Sequence, residues 1–281
     1  MAAKAAAWPE GYVVHQGTES PDGHYGIAVP TVGAEDSGTG ENVNYLADLK
    51  THQVLGKIAC DDYFEGENHF HLRAVWAPDF KWCVVIYNGR YGFSSMAILV
   101  PKGSRMTESN IGERIDDSLK AAAGDEGYGS VYFRFAAGRK LLVRALSFTG
   151  NPKQNDANTR YARFQGTFDI NSGKWTNIDA QRMNLPGPHG DDDVYSEVYT
   201  AVGTAYSDVT PDDFSGKGAD DIDELMNDVY QGVRAVLPPG RFAKVKKDQI
   251  EWLKKRDAIS TVDDKCKFAE ARIKVLQDLL W

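Results

Sequence analysis

Near Gly218 the hydrophobic period of the chain changes from about two residues to about 3.6, and this change divides what the two parts can fold into. Before it, from Gly11 to about Gly216, short apolar runs are broken by Gly, Pro, Asn and Asp, the punctuation of strands joined by turns. The runs at 25–29, 44–48, 72–76, 82–87, 96–100, 131–135, 140–148, 163–170 and 194–199 are rich in β-branched and aromatic residues, which suit a pleated, half-buried surface. After it, Leu225, Val229 and Val233 recur at every fourth position, as one face of a helix requires. The expected class is α+β: a mainly antiparallel β domain followed by a C-terminal α-helical domain of three helices, 220–236, 242–258 and 264–280.

Within the β region the text repeats itself. Ser20-Pro-Asp-Gly-His-Tyr-Gly-Ile-Ala-Val is echoed by Ala77-Pro-Asp-Phe-Lys-Trp-Cys-Val-Val-Ile and, more faintly, by Ala136-Ala-Gly-Arg-Lys-Leu-Leu-Val. Pro presets the first turn dihedral and Asp bonds the backbone two residues on, so the spelling predicts a strand-turn-strand corner. A second echo pairs the segment 45–54, Tyr45-Leu-Ala-Asp onward, with the segment 167–175, Thr167-Phe-Asp-Ile onward, each a strand, a polar turn and a returning strand. These hairpins resemble blades of TolB-type or WD-type propellers, which implies blade-like antiparallel sheets. Only three copies fit before the helical part, so a partial propeller or a sandwich is expected rather than a closed ring. Ile111, Ile115 and Leu119 place one helical insert near 108–123. The organisation read from these signals is a tail at 1–10, the blade-like domain at 11–210, a linker at 211–218 and the helical domain at 219–281.

Charge is divided as unevenly as period. The 63 residues from Ala219 onward hold 12 basic and 12 acidic side chains, so the whole formal charge of −8 belongs to the part before them. That field disfavours nucleic acid and anionic lipid as partners, and no apolar run is long enough for a helical membrane span. The Ala-rich opening lacks the apolar centre of a signal peptide. Localisation is therefore periplasmic or secreted if a leader has been removed, and cytoplasmic otherwise. Cys60, Cys83 and Cys266 allow one bridge at most; a Cys60–Cys83 pair and three free thiols are both open readings.

The helical part carries the most specific spelling. Its phrases Asp223-Glu-Leu-Met-Asn-Asp-Val-Tyr, Lys247-Asp-Gln-Ile-Glu-Trp-Leu-Lys-Lys-Arg-Asp and Cys266-Lys-Phe-Ala-Glu-Ala-Arg resemble the LprI-like lysozyme-inhibitor domain, a bacterial envelope family. Gln249, Trp252, Arg256 and Asp257 match the family's Gln-x-x-Trp-x-x-x-Arg-Asp, Asn227 and Tyr230 its Asn-x-x-Tyr, and Arg272 the arginine of its closing helix. The resemblance covers about sixty residues and implies export, a protein partner such as a cationic lysozyme, and these residues as a partner-binding surface or structural clasp. Read as physics, Gln249, Trp252 and Arg256 share one helix face, so the expectation is an indole packed between helices and a buried Arg256–Asp257 ionic clasp. Ser260 stands where the family carries Cys, so the family's disulfide is not implied here.

Candidate chemistry elsewhere is sparse. In Asn68-His69-Phe70-His71, strand alternation would point His69 and His71 to one face as two metal ligands for zinc, with Asp61, Asp62 or Glu67 completing the set. The loop Gly190-Asp-Asp-Asp-Val-Tyr-Ser-Glu offers oxygen donors that suit calcium but lacks EF-hand spacing. Trp8, Tyr63, Phe64, Tyr87, Tyr91 and Phe93 lie in or near turns, either as a binding surface or as packing. No nucleophile elbow, phosphate loop, zinc-protease helix or dinucleotide fingerprint occurs. The favoured reading is a non-enzymatic envelope binding protein that uses no cofactor. The rivals are a metal-assisted hydrolase built on His69 and His71, and a structural adaptor.

Overall fold

The computed structural model describes residues 6–33, 42–59, 62–89, 92–124, 128–149, 159–185, 197–207 and 218–281. It has the expected α+β class: antiparallel sheets followed by helices. The first sheet contains β1 (Ala6–Ala7), β2 (Tyr12–Val14), β3 (Tyr25–Pro30), β4 (Tyr45–Asp48) and β5 (Gln53–Lys57), in the order β1-β5-β4-β3-β2. The second runs β6 (His71–Trp76), β7 (Cys83–Gly89), β8 (Gly92–Lys102), β9 (Arg105–Asn110), and the third β10 (Tyr128–Ala136), β11 (Lys140–Thr149), β12 (Arg160–Asp169), β13 (Lys174–Met183). Strands β2–β5, β6–β9 and β10–β13 are thus three copies of a four-stranded meander.

The sequence echoes mark equivalent turns of these copies. Before β3, Ser20 N–H donates to the Tyr25 carbonyl at 2.8 Å and Gly23 N–H to that of Ser20 at 2.8 Å; before β7, Ala77 N–H donates to Trp82 at 2.9 Å and Phe80 N–H to Ala77 at 2.8 Å. Gly23 and Phe80 occupy the same left-handed place, with φ of 64° and 55°, which glycine adopts freely and phenylalanine does not. The second echo closes the third-to-fourth strand hairpins. Asp48 Oδ1 accepts from the Lys50 and Thr51 amides, and Asp169 Oδ1 from that of Ser172.

By contacts the chain forms two compact units, 1–145 with 164–180, and 146–163 with 181–281. In the first, β6 alternates strictly, burying Leu72, Ala74 and Trp76 against Ile27, Val29 and Leu46 of the first sheet. Strand β7 is covered on both faces, Cys83, Val85 and Tyr87 lying in that core while Val84 and Ile86 are buried on the other side. Cys83 is a free thiol whose pKa burial raises, so it is inert rather than reactive. Cys60 lies outside the described residues. The helical insert begins later than expected: 105–110 is strand β9, and α1 is Gly112–Ala123. Its start is set by Asn110, whose Oδ1 accepts the Gly112 amide at 3.1 Å, and Ile115 and Leu119 form its buried face.

Among the described residues, the second unit holds α2 (Glu197–Tyr206) ahead of the three helices expected in 219–281, which are α3 (Ala219–Val236), α4 (Pro239–Asp257) and α5 (Val262–Asp278). Residues 197–199, expected to end a strand, open α2 instead, because Ala201, Val202, Ala205 and Tyr206 continue the apolar pattern at helical spacing and are buried. Pro238 and Pro239 separate α3 from α4, and Pro239 starts α4, where its missing N–H costs nothing. Gln277 of α5 is buried and donates to the carbonyls of Thr204 and Ser207, satisfying the end of α2. At Gly232 a Cβ would stand 2.2 Å from the Ala201 carbonyl oxygen, so α2 and α3 cross with their backbones touching.

Gly232→Ala separates intrinsic propensity from packing. Alanine favours an isolated helix by about 1 kcal/mol, whereas forcing a methyl into a backbone contact costs about 1–3 kcal/mol. A net loss of stability is expected in chemical denaturation; a gain would show that the crossing can widen.

Candidate functional site

The connection between β5 and β6 brings together aromatic rings and carboxylates from distant parts of the first unit. Tyr63 is 5% exposed and its carbonyl accepts from Asn44 Nδ2 at 2.7 Å, so the connection is anchored in the core. The Tyr63 ring lies 4.8 Å from that of His15 and 6.4 Å from that of Tyr87, and Phe70 stacks on Tyr87 at 5.6 Å. Tyr63 and Tyr87 are therefore packing residues, which decides between the two readings of the turn aromatics for this pair. Above them, Glu65 Oε2 meets His15 Nδ1 at 2.8 Å. Glu67 accepts from the Phe64 amide at 3.4 Å and the Tyr87 hydroxyl at 3.5 Å. Burial raises the Glu67 carboxyl above its usual range, and the neighbouring Asp62 charge adds to the effect.

Chemically this is a fixed negative edge on an aromatic base, suited to receive a cationic group. Sequence reading missed His15, Glu65 and Asn44. His15 and Glu65 are fifty positions apart, and only the sheet pairing joins them.

His69 and His71 do not share a strand. His69 sits in a turn with φ of 67°, outside β6, and His71 is the first residue of that strand, so strand alternation does not set their relative direction. Both are exposed. Among the described residues no three His, Cys, Asp or Glu side chains gather at ion-binding separation. Asp61 and residues 190–196 of the acidic loop lie outside the described residues, and Glu197 opens α2.

The helical phrase is assembled as contacts between helices. Trp252 of α4 stacks on Phe268 of α5 at 5.3 Å with rings 6° apart, and Tyr230 of α3 meets Phe242 of α4 at 5.3 Å. Arg272 Nε donates to Gln249 Oε1 at 2.8 Å; burial lowers the Arg272 pKa, opposed by Asp248 and Tyr230. Arg256 reaches Asp223 of α3 and Asp257 and lies over the Trp252 ring at 5.6 Å. The ionic part is not buried as expected: the side chains of Asp223 and Asp257 are 53% and 65% exposed, because the pair caps the outer side of the indole. Asn227 Oδ1 accepts from Gln231 Nε2 within α3, and among the described residues it joins no other helix.

No family model and no curated protein matches the chain. Among solved structures, a periplasmic gluconolactonase of Pseudomonas aeruginosa is similar at 13% identity and a TM-score of 0.23, over 66% of this chain and 60% of that one. A likeness of that degree leaves fold and function to be argued from this chain's own residues.

Two substitutions rank the forces in this site. Trp252→Ala is expected to destabilise by about 3–5 kcal/mol, as loss of a buried aromatic does, and Arg256→Ala by about 1 kcal/mol or less, as loss of an exposed ion pair does. Equal losses in urea melts would put the ionic clasp on a par with the indole. At Glu67 the folded state holds its proton more tightly than the unfolded chain, so ionisation weakens folding as pH rises from the ordinary carboxylate range through the raised value. Glu67→Gln should therefore raise the denaturation midpoint near neutrality, with a gain that shrinks on acidification; a pH-independent difference would assign the effect to packing.

Proposed function

We propose that the chain is a non-enzymatic binding protein of the bacterial envelope whose first unit takes a cationic protein partner, a lysozyme being the partner implied by the C-terminal spelling. The observation that carries this reading is the pinned pair Glu65 and Glu67. One carboxylate is fixed by His15 and the other by a backbone amide and the Tyr87 hydroxyl, so both face an incoming cation with little rotamer entropy left to lose. The net charge of −8, all of it in the part before Ala219, gives the long-range attraction that raises encounter rates with a basic protein. Trp252, Arg256, Gln249 and Arg272 serve this function indirectly, by holding the helices in place. No cofactor is needed.

The test is lysozyme turnover in the presence of a molar excess of the protein. Turnover is expected to fall at low ionic strength and to recover as salt screens the attraction over about 8–10 Å. The Glu65→Gln/Glu67→Gln double variant should lose the effect. Unchanged turnover with the wild-type protein removes lysozyme inhibition from the proposal.

A further inference from the structure

Glu65 and Glu67 stand on either side of open space. Gly66 turns the chain between them at φ of 81°, and a Cβ at that position would meet no atom within 4 Å. Both acids keep acceptor capacity. An ionised carboxylate accepts about four hydrogen bonds, whereas among the described residues Glu65 is joined only to His15, and Glu67 only to the Phe64 amide and the Tyr87 hydroxyl. These bonds direct the two side chains to one row of rings. Tyr63 lies 4.8 Å from His15 and 6.4 Å from Tyr87, and Phe70 continues the row by stacking on Tyr87 at 5.6 Å with the rings 8° apart. Phe64 and Phe70 are half-buried, so part of each ring reaches water.

We propose, resting on the reading that this edge receives a cationic protein, that it selects arginine over lysine: a guanidinium enters between Glu65 and Glu67 and lies along the Phe70 ring. The first reason is the number of acceptors. Oxygens on two separate side chains suit a planar fork of N–H donors, which engages both acids at once, better than the compact charge of an ammonium. The second reason is shape. The parallel rings of Phe70 and Tyr87 give the site a flat apolar side, and a guanidinium stacks on such a surface. The third is water. Burial holds the Glu67 carboxyl above its usual range, so a cation bound there gives up hydration, and a guanidinium is more weakly hydrated than an ammonium. The arriving cation also favours the ionised form of Glu67, so its binding expels the proton that burial retains.

The test is titration of the whole isotope-labelled protein with N-acetyl-arginine amide and with N-acetyl-lysine amide, probes of equal charge, at low ionic strength and followed by NMR. The arginine probe is expected to bind about tenfold more tightly than the lysine probe and to shift the amides of residues 64–67. Glu67→Gln should abolish the preference. Phe70→Leu, which keeps both acids and an apolar side chain, should reduce the preference severalfold and leave lysine binding as it was. The proposal is overturned by equal affinities, by a preference for lysine, by an arginine probe that leaves the amides of 64–67 unmoved, or by a preference that survives Glu67→Gln. Lysozyme turnover read with the same preparations separates this claim from the one beneath it. Inhibition without arginine preference keeps the cationic partner and removes its arginine; arginine preference without inhibition keeps the arginine site and removes lysozyme.

Discussion

A four-stranded antiparallel meander with one apolar face must bury that face, and the first unit is organised by how the first two sheets meet this requirement on each other. Trp76 lies at the centre of the solution. Its ring stacks on Tyr25 at 5.6 Å, and the indole N–H donates to the Thr18 carbonyl at 2.9 Å, so one side chain of the second sheet is held by two residues from the first meander, while Tyr25 in turn stacks on His24 at 4.1 Å. Tyr63 and Tyr87 belong to the same core, with Phe70 packed against it. The carboxylates of Glu65 and Glu67 are therefore presented from a rigid base, and loosening the sheet-to-sheet core would release the acidic edge with it.

In the helical unit the order of magnitudes favours packing over charge. Trp252 is buried and stacks on the half-buried Phe268, whereas both acids paired with Arg256 remain more than half exposed, where screening leaves an ion pair about 1 kcal/mol at most. Arg272 is different. Its guanidinium is partly buried, Nε is satisfied by Gln249, and Nη2 is buried without a hydrogen-bond partner. A group in that state costs about 1–3 kcal/mol, so Gln249 is the residue that makes an arginine at this position tolerable.

What could be read in the sequence was what local chemistry decides. The Pro-Asp turns, the helix face of α3 and the strands rich in β-branched residues follow from neighbours within a few positions. Strands β2 and β9 escaped because they are short or largely polar, and β5 and β13 were legible only as the returning strands of the second echo, their full extent being decided by pairing. The segment around 194–199 reads as alternating over too few residues to exclude a helix, and the buried face of α2 becomes evident only once Ala201 to Tyr206 are included. His69 was misplaced for a local reason that composition hides: its left-handed backbone ends the run before β6 begins. The contact of His15 with Glu65 could not be read, since sheet register brings those residues together.

Repetition also separates side chains committed to the backbone from those that are not. The hairpin turns within the meanders are alike because each solves the same problem, closing two antiparallel strands, and their Asp and Gly residues are used up in doing so. The connections between meanders have no such shared duty and differ from one another. The one from β5 to β6 carries Tyr63, Glu65 and Glu67; the one from β9 to β10 carries α1 with Arg114 and Asp117. Side chains free of a turn-forming role can be spent on partners, whereas the same residue types inside the hairpins are committed to the backbone. An acidic residue such as Asp48, which holds two amides, is thus a poor candidate for binding despite its charge, and Glu65, which holds only an imidazole, is a good one.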